Sequence, residues 1–173
     1  MTTKRNIVRI STLATSLATA AALPASANDW KAWEGQDQAA PRAIYSDATD
    51  QQSVLLTCGP NGLLSAMITV KPASLPEQLA KNAPYSRGEK ASLIIGDADA
   101  VETKVRVIPA IDVIEARSHS IAAKVFNSAV MGVPLKMSVD RTGDIETLLP
   151  KPNDPFKAFA RTCEKSRAEH GKS

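Results

Sequence analysis

The only two cysteines of this chain, Cys58 and Cys163, each fall on the apolar side of a different repeat, and that coincidence narrows the folds open to it. Around the first, Val54, Leu56 and Cys58 alternate with Leu55 and Thr57, the period of two that turns one side of a strand toward a core. Around the second, Phe156, Phe159, Ala160 and Cys163 recur at i, i+3, i+4 and i+7, the apolar stripe of an amphipathic helix. A strand sulfur and a helix sulfur that both face inward predict a disulfide stapling the last helix onto the first hairpin. Closing a loop of about 100 residues contributes roughly 4–5 kcal/mol in the chain-entropy account, less whatever strain the native state carries. The competing account, a reactive or metal-binding thiol pair, lacks a C-x-x-C spacing and a neighbouring histidine.

A disulfide needs an oxidising compartment, and the N-terminus reads as the address for one. Lys4, Arg5 and Arg9 precede an acid-free run rich in Ala, Thr and Leu over residues 10–23, followed by Pro24, Ala25, Ser26 and Ala27. This is the three-part pattern of a secretory signal peptide cleaved after Ala27. The run is shorter than the ~20 apolar residues of a spanning helix and is diluted by Ser11, Thr12, Thr15, Ser16 and Thr19. No cysteine follows the cleavage site and Lys4-Arg5-Asn6 is not a twin-arginine pair, so the expectation is Sec-type export of an unfolded chain to the periplasm or beyond. With no second long apolar run, no membrane insertion is expected after cleavage.

Of the 21 Lys and Arg residues three lie in this leader, and of the 18 Asp and Glu none do, so the mature chain is formally neutral. The pI of about 8.9 is then largely a precursor property and argues for neither nucleic acid nor an anionic membrane surface. Lys157, Arg161, Lys165, Arg167 and Lys172, interrupted by Glu164 and Glu169, read as the solvated face of a helix.

Residues 28–52, polar and containing Gly35 and Pro41, are expected to form an irregular lead-in carrying the only two tryptophans, Trp30 and Trp33. Two roles are open to them: pinning this segment onto the domain, or forming an exposed anchor for a partner, since Trp is enriched at binding hot spots. A single globular domain follows over residues 53–168, with a frayed tail at 169–173. Its first hairpin pairs the Cys58 strand with Leu64, Ala66, Ile68 and Val70 across Gly59-Pro60-Asn61-Gly62. Residues 71–88 form a Pro-rich connection with a helical turn over 76–81. A second hairpin joins residues 91–95 to 101–108 around Gly96-Asp97-Ala98-Asp99, with Val101, Thr103, Val105 and Val107 on one side and Glu102, Lys104 and Arg106 on the other. A short strand over 111–116 follows.

The period then changes. Ile121, Val125 and Ala129 form one helical stripe, with Ala122, Phe126 and Val130 beside it and Lys124, Asn127 and Ser128 opposite. Ser118 or Ser120 can cap this helix, and Gly132 with Pro134 can stop it. A third hairpin joins Leu135, Met137 and Val139 to residues 145–149. Asp154 is a fitting N-cap and Pro155 a fitting first residue for the final helix. The architecture expected is α+β but mainly β: an antiparallel β-sandwich or strongly bent sheet of six to seven strands with two helices, one stapled by the disulfide.

Catalytic patterns are not found. His119 with Ser118 and Ser120 makes no triad without a G-x-S-x-G elbow. No clustered His/Cys pattern supports zinc, Asp97 with Asp99 lacks the calcium-loop spacing, and phosphate loops and dinucleotide fingerprints are absent. The acidic pairs Asp112 with Glu115 and Asp144 with Glu146 are chance-level glycosidase candidates. Met67, Met131 and Met137 are better read as core than as copper ligands. No catalytic residue, metal or cofactor is therefore expected.

An exported N-terminal Trp segment, the strand Val54-Leu55-Leu56-Thr57-Cys58 leading at once into a hairpin, and a terminal Phe156-x-x-Phe159-x-x-x-Cys163 helix resemble the small periplasmic VasI/TagO type VI secretion-associated proteins. More distantly they are similar to the invasion-associated locus B group. The resemblance implies a periplasmic accessory protein on a β-sandwich, without catalytic residues. The function expected is a non-enzymatic exported binding or accessory protein engaging another cell-envelope protein, with Trp30, Trp33, Tyr85 and Arg87 as candidate contact residues and the polar face of the last helix as a further one. Two alternatives stand beside it. One is an inhibitor or stress-response module that inserts Pro84-Tyr85-Ser86-Arg87-Gly88 into a hydrolase. The other is a carrier of a small apolar ligand near Phe126 and Met137.

Overall fold

The computed structural model describes residues 28–32, 40–48, 52–69, 85–140 and 142–170. The leader, Trp33, Pro84 and the helical turn expected over 76–81 lie outside them. Among these described residues nine strands form one antiparallel sheet: β1 (Lys31–Ala32), β2 (Arg42–Ser46), β3 (Ser53–Cys58), β4 (Leu64–Thr69), β5 (Arg87–Ile95), β6 (Val101–Ile108), β7 (Val113–Ala116), β8 (Leu135–Val139) and β9 (Gly143–Thr147). Their spatial order is β1-β2-β3-β4-β7-β6-β5-β8-β9. Two helices complete it, α1 (His119–Met131) and α2 (Asp154–His170).

This is the bent-sheet form of the expectation, not a two-sheet sandwich, and it has nine strands where six to seven were expected. The difference lies in residues 28–52. Expected as an irregular lead-in, this span contributes β1 and β2 among its described residues: β1 pairs with β2 and β2 with β3, with Tyr45 opposite Val54 and Ala43 opposite Leu56. Alternation decides which face is inside. Ala43, Tyr45, Val54, Leu56, Cys58, Leu64, Ala66, Ile68, Ile114, Val107, Leu93 and Met137 all turn to one side and are buried.

The sheet curls around that side. Side-chain hydrogen bonds tie its early segments to β9 and the stretch that follows it. Trp30 Nε1 donates to the Pro150 carbonyl at 2.9 Å, Asn153 Nδ2 donates to the Trp30 carbonyl at 2.7 Å, and Gln52 Nε2 donates to the Glu146 carbonyl at 3.3 Å.

Both helices cover the concave face, α1 against β4, β5 and β7, and α2 against β1 and β2. The expected stripe of α1 holds for Ile121, Ala122, Val125 and Ala129, but two neighbours exchange roles. Ser128 is fully buried with its hydroxyl unpaired, and Val130 is exposed. Met131 is also exposed, so core packing holds for Met137 and not for Met131. Gly132 ends α1 in the left-handed conformation that a residue without Cβ adopts readily, with its N–H returned to Ser128 and Ala129. At the start of α2 the cap is one residue earlier than expected. Asn153 Oδ1 accepts the N–H of Phe156 at 3.2 Å while the same amide holds Trp30. The bases of α2 do lie on a solvated face, where Lys157 pairs with Asp154 and Lys165 with Glu169.

Aromatic residues are scarce, at 4% of the chain, so their placement is informative. Trp30, Tyr45, Phe126, Phe156 and Phe159 form one cluster, with Trp30 and Phe126 each 4.8 Å from the Phe156 ring. This cluster joins β1 and β2 to both helices. Burial and the nearby Asp47 carboxylate raise the pKa of the Tyr45 phenol above its ordinary 10.0. The folded state therefore keeps that proton where the unfolded chain has begun to lose it. The stabilisation is fully present below pH 10 and is lost as pH rises through the elevated value. Urea midpoints measured from pH 8 to 11.5 should fall at the alkaline end, and Tyr45→Phe should flatten that fall; an unchanged slope would remove Tyr45 as its source.

The disulfide joins Cys58 to Cys163 as expected, with the two Cα atoms 5.7 Å apart. It fastens α2 beside the β3–β4 turn, where packing is tight. A Cβ on Gly62, whose φ is +72°, would lie 2.5 Å from the Arg167 Cβ and 2.6 Å from its backbone. Only glycine fits there without moving the helix.

Candidate functional site

The structure separates the four residues singled out as partner contacts. Trp30 is only 1% exposed and hydrogen-bonded at its indole nitrogen, so it packs the N-terminal segment onto the domain and is not a surface anchor. Burial of that large ring in the aromatic cluster is the physical reason for the correction. Trp33 lies outside the described residues. Tyr85 is 72% exposed, the most exposed of the large hydrophobic side chains among the described residues. Arg87 begins β5, opposite Val107 of β6, and is half-buried. Tyr85 and Arg87 thus stand together where the chain enters the sheet, and Trp30 stands elsewhere.

A second locality was foreseen only at Phe126. The two helices meet at the Phe126, Phe156 and Phe159 rings and leave a groove of about 430 Å³ lined by Leu64, His119, Ala123, Phe126, Asn127, Ala160, Cys163, Glu164 and Arg167. Phe126 is thus beside a cavity, as the carrier alternative requires, but Met137 does not share it. Met137 borders a separate depression of about 300 Å³ between β5, β8 and β9.

Strand and helix geometry hold the groove's polar groups in place. Nδ1 of His119 accepts the backbone N–H of Leu64 at 2.9 Å, so in this arrangement the ring proton sits on Nε2. Arg167 Nη2 donates to the Gly62 carbonyl at 3.1 Å, which uses one of its five N–H groups. Among the described residues the only acid lining the groove is Glu164, one turn before Arg167 on the same helix, and the two form no ion pair with each other. Leu64, Ala123, Phe126 and Ala160 supply apolar surface. The Cys58–Cys163 bridge fixes the distance between the β4 end of the groove and α2.

Sequence reasoning placed Phe126 at a cavity but missed the polar residues of this site, because they come from separate elements with no local motif. The one available signal was the pair of alanines, Ala123 and Ala160, at positions where bulkier side chains would have filled the space. Serines 118 and 120 bond to each other at 2.8 Å, and neither caps α1 through its side chain. Of the acidic residues weighed earlier, Glu115 is engaged on the opposite sheet face. Its carboxylate accepts from Arg117 Nε at 2.9 Å, and Arg106 Nε lies 3.2 Å from the same oxygen as an ion pair without hydrogen-bond alignment. Among the described residues no group of three or more His, Cys, Asp or Glu side chains is placed to hold a metal ion, and no helix is long and apolar enough to cross a membrane.

Compared with protein-family models, with curated proteins and with solved structures, the chain finds no match.

Proposed function

We propose that this chain is a non-enzymatic, exported binding or accessory protein that engages another protein of the cell envelope. The observation that carries this reading is Tyr85. In a chain that packs five of its seven aromatic side chains into one core cluster, this ring stands 72% exposed two positions before an arginine. Tyr and Arg are the residue types, with Trp, that most often carry binding energy. The disulfide fits an oxidising compartment such as the periplasm, which the N-terminal leader pattern also indicates.

The test is affinity capture from a periplasmic extract with the oxidised protein and a Tyr85→Ala/Arg87→Ala variant. Surface changes of this kind leave stability within about 0.5 kcal/mol, so the variant should melt with the parent. One envelope protein retained by the parent and lost by the variant is the expected result. Equal retention by both would move the interface elsewhere. A hydrolase that is captured and inhibited through Tyr85 would replace the accessory role with the inhibitor.

The carrier reading has its own observation, the groove at Phe126, whose volume lies within the roughly 300–1,000 Å³ range of small-molecule pockets. Native mass spectrometry of protein purified without denaturation tests it: a co-purifying small molecule is expected, and a bare mass argues against it.

A further inference from the structure

The groove between α1 and α2 carries more chemistry than an apolar carrier needs. One wall is hydrophobic, with Phe126 at the end where the helices converge and Ala123 and Ala160 keeping the middle open. Toward the other end three polar groups line it: the His119 ring, whose remaining proton is on Nε2, the Arg167 guanidinium and the Glu164 carboxylate, while the Asn127 amide lies next to Phe126. Arg167 and Glu164 are spaced i, i+3 on α2, the spacing at which oppositely charged side chains commonly pair. They do not. Arg167 instead reaches the Gly62 carbonyl, so the groove presents a cation and an anion separately.

We infer that this groove binds a small zwitterion with an apolar body, namely a free α-amino acid with an apolar side chain. Its carboxylate takes the remaining N–H groups of Arg167 and the Nε2–H of His119, since a guanidinium and a neutral imidazole donor suit a single negative group. Its ammonium takes Glu164, which would repel a ligand that carried negative charge alone. Its side chain lies against Phe126, Ala123 and Leu64. The groove is open to solvent on one side and its charged groups are at the rim, which predicts a modest, millimolar to sub-millimolar affinity. This inference goes beyond the protein-binding reading and stands apart from it, because Tyr85 and Arg87 are not among the groove's residues.

The experiment is ligand-observed NMR titration of the oxidised full chain with L-phenylalanine, with phenylacetate, which lacks the ammonium, and with phenethylamine, which lacks the carboxylate. Phenylalanine should bind saturably, and each truncated analogue about tenfold or more weakly. Glu164→Gln, at an exposed position, should weaken phenylalanine by a similar factor and tighten phenylacetate, from which it removes a repelling charge. Ala160→Leu, which fills the groove, should abolish binding while the melting temperature is kept. No saturable phenylalanine binding at millimolar concentration would overturn the inference. So would phenylacetate binding as tightly as phenylalanine with no response to Glu164→Gln. Either result leaves the Tyr85 capture experiment untouched.

Discussion

Trp30→Ala should be among the most damaging single substitutions in the chain, with a loss of about 3–5 kcal/mol, the range for truncating a buried Trp or Phe. The ring is 1% exposed and touches both Tyr45 and Phe156, so its removal opens a cavity at the junction of β1, β2 and α2. The Pro150 carbonyl also loses the indole N–H that it accepts. For a domain of this size the melting temperature should fall by on the order of 10 °C or more. Trp30→Phe should recover part of the loss by restoring apolar volume but not the hydrogen bond. Calorimetry of the two variants decides the matter: an alanine variant within about 2 °C of the parent would mean that the segment is held by β1 and β2 pairing alone.

Breaking the disulfide is the second large effect. Cys58→Ala/Cys163→Ala, or reduction, should cost about 2–5 kcal/mol, because the bridge spans 105 positions and restricts the unfolded chain strongly. The loss should also have a local component. Phe156 and Phe159 anchor the first half of α2 in the aromatic cluster, whereas beyond them the helix is tied by Cys163 and by Arg167 at the Gly62 carbonyl. Hydrogen exchange in the reduced protein should therefore rise first in residues 160–170 and later in β3 and β4. Uniform loss of protection across the molecule would show that the bridge acts only on the unfolded state. Because the same bridge sets the groove's width, the reduced form should also bind phenylalanine more weakly.

What could be read in advance follows from how local each signal is. The β3–β4 hairpin was legible because a period of two ran unbroken on both sides of Gly59 and Gly62, and the inward cysteine followed from the same parity. The Phe156, Phe159, Cys163 stripe fixed the inner face of α2 in the same way. β2 was not legible. Arg42-Ala43-Ile44-Tyr45-Ser46 alternates over only five residues between polar stretches, and what makes it a strand is its pairing with β3. Ser128 was placed outward because serine in a helix is usually solvated, yet it stands at i+7 from Ile121 and i+3 from Val125, on the buried stripe itself. The groove's polar residues were beyond reach for another reason. His119, Glu164 and Arg167 become neighbours only when the disulfide and the sheet curl bring the start of α1 next to the later turns of α2.

The bond between Trp30 and Pro150 spans 120 positions and the disulfide 105, so two of the ties that hold the fold join its early segments to its late ones. Contacts of that range make a slow-folding topology, since most of the chain must be present before any of them can form. During synthesis a ribosome would release nearly the whole polypeptide before the fold could close. Under the exported role proposed above, this late closure would be an advantage: a chain that has not yet folded can still be threaded through a narrow channel, and closure with the cysteines oxidised would wait for the far side.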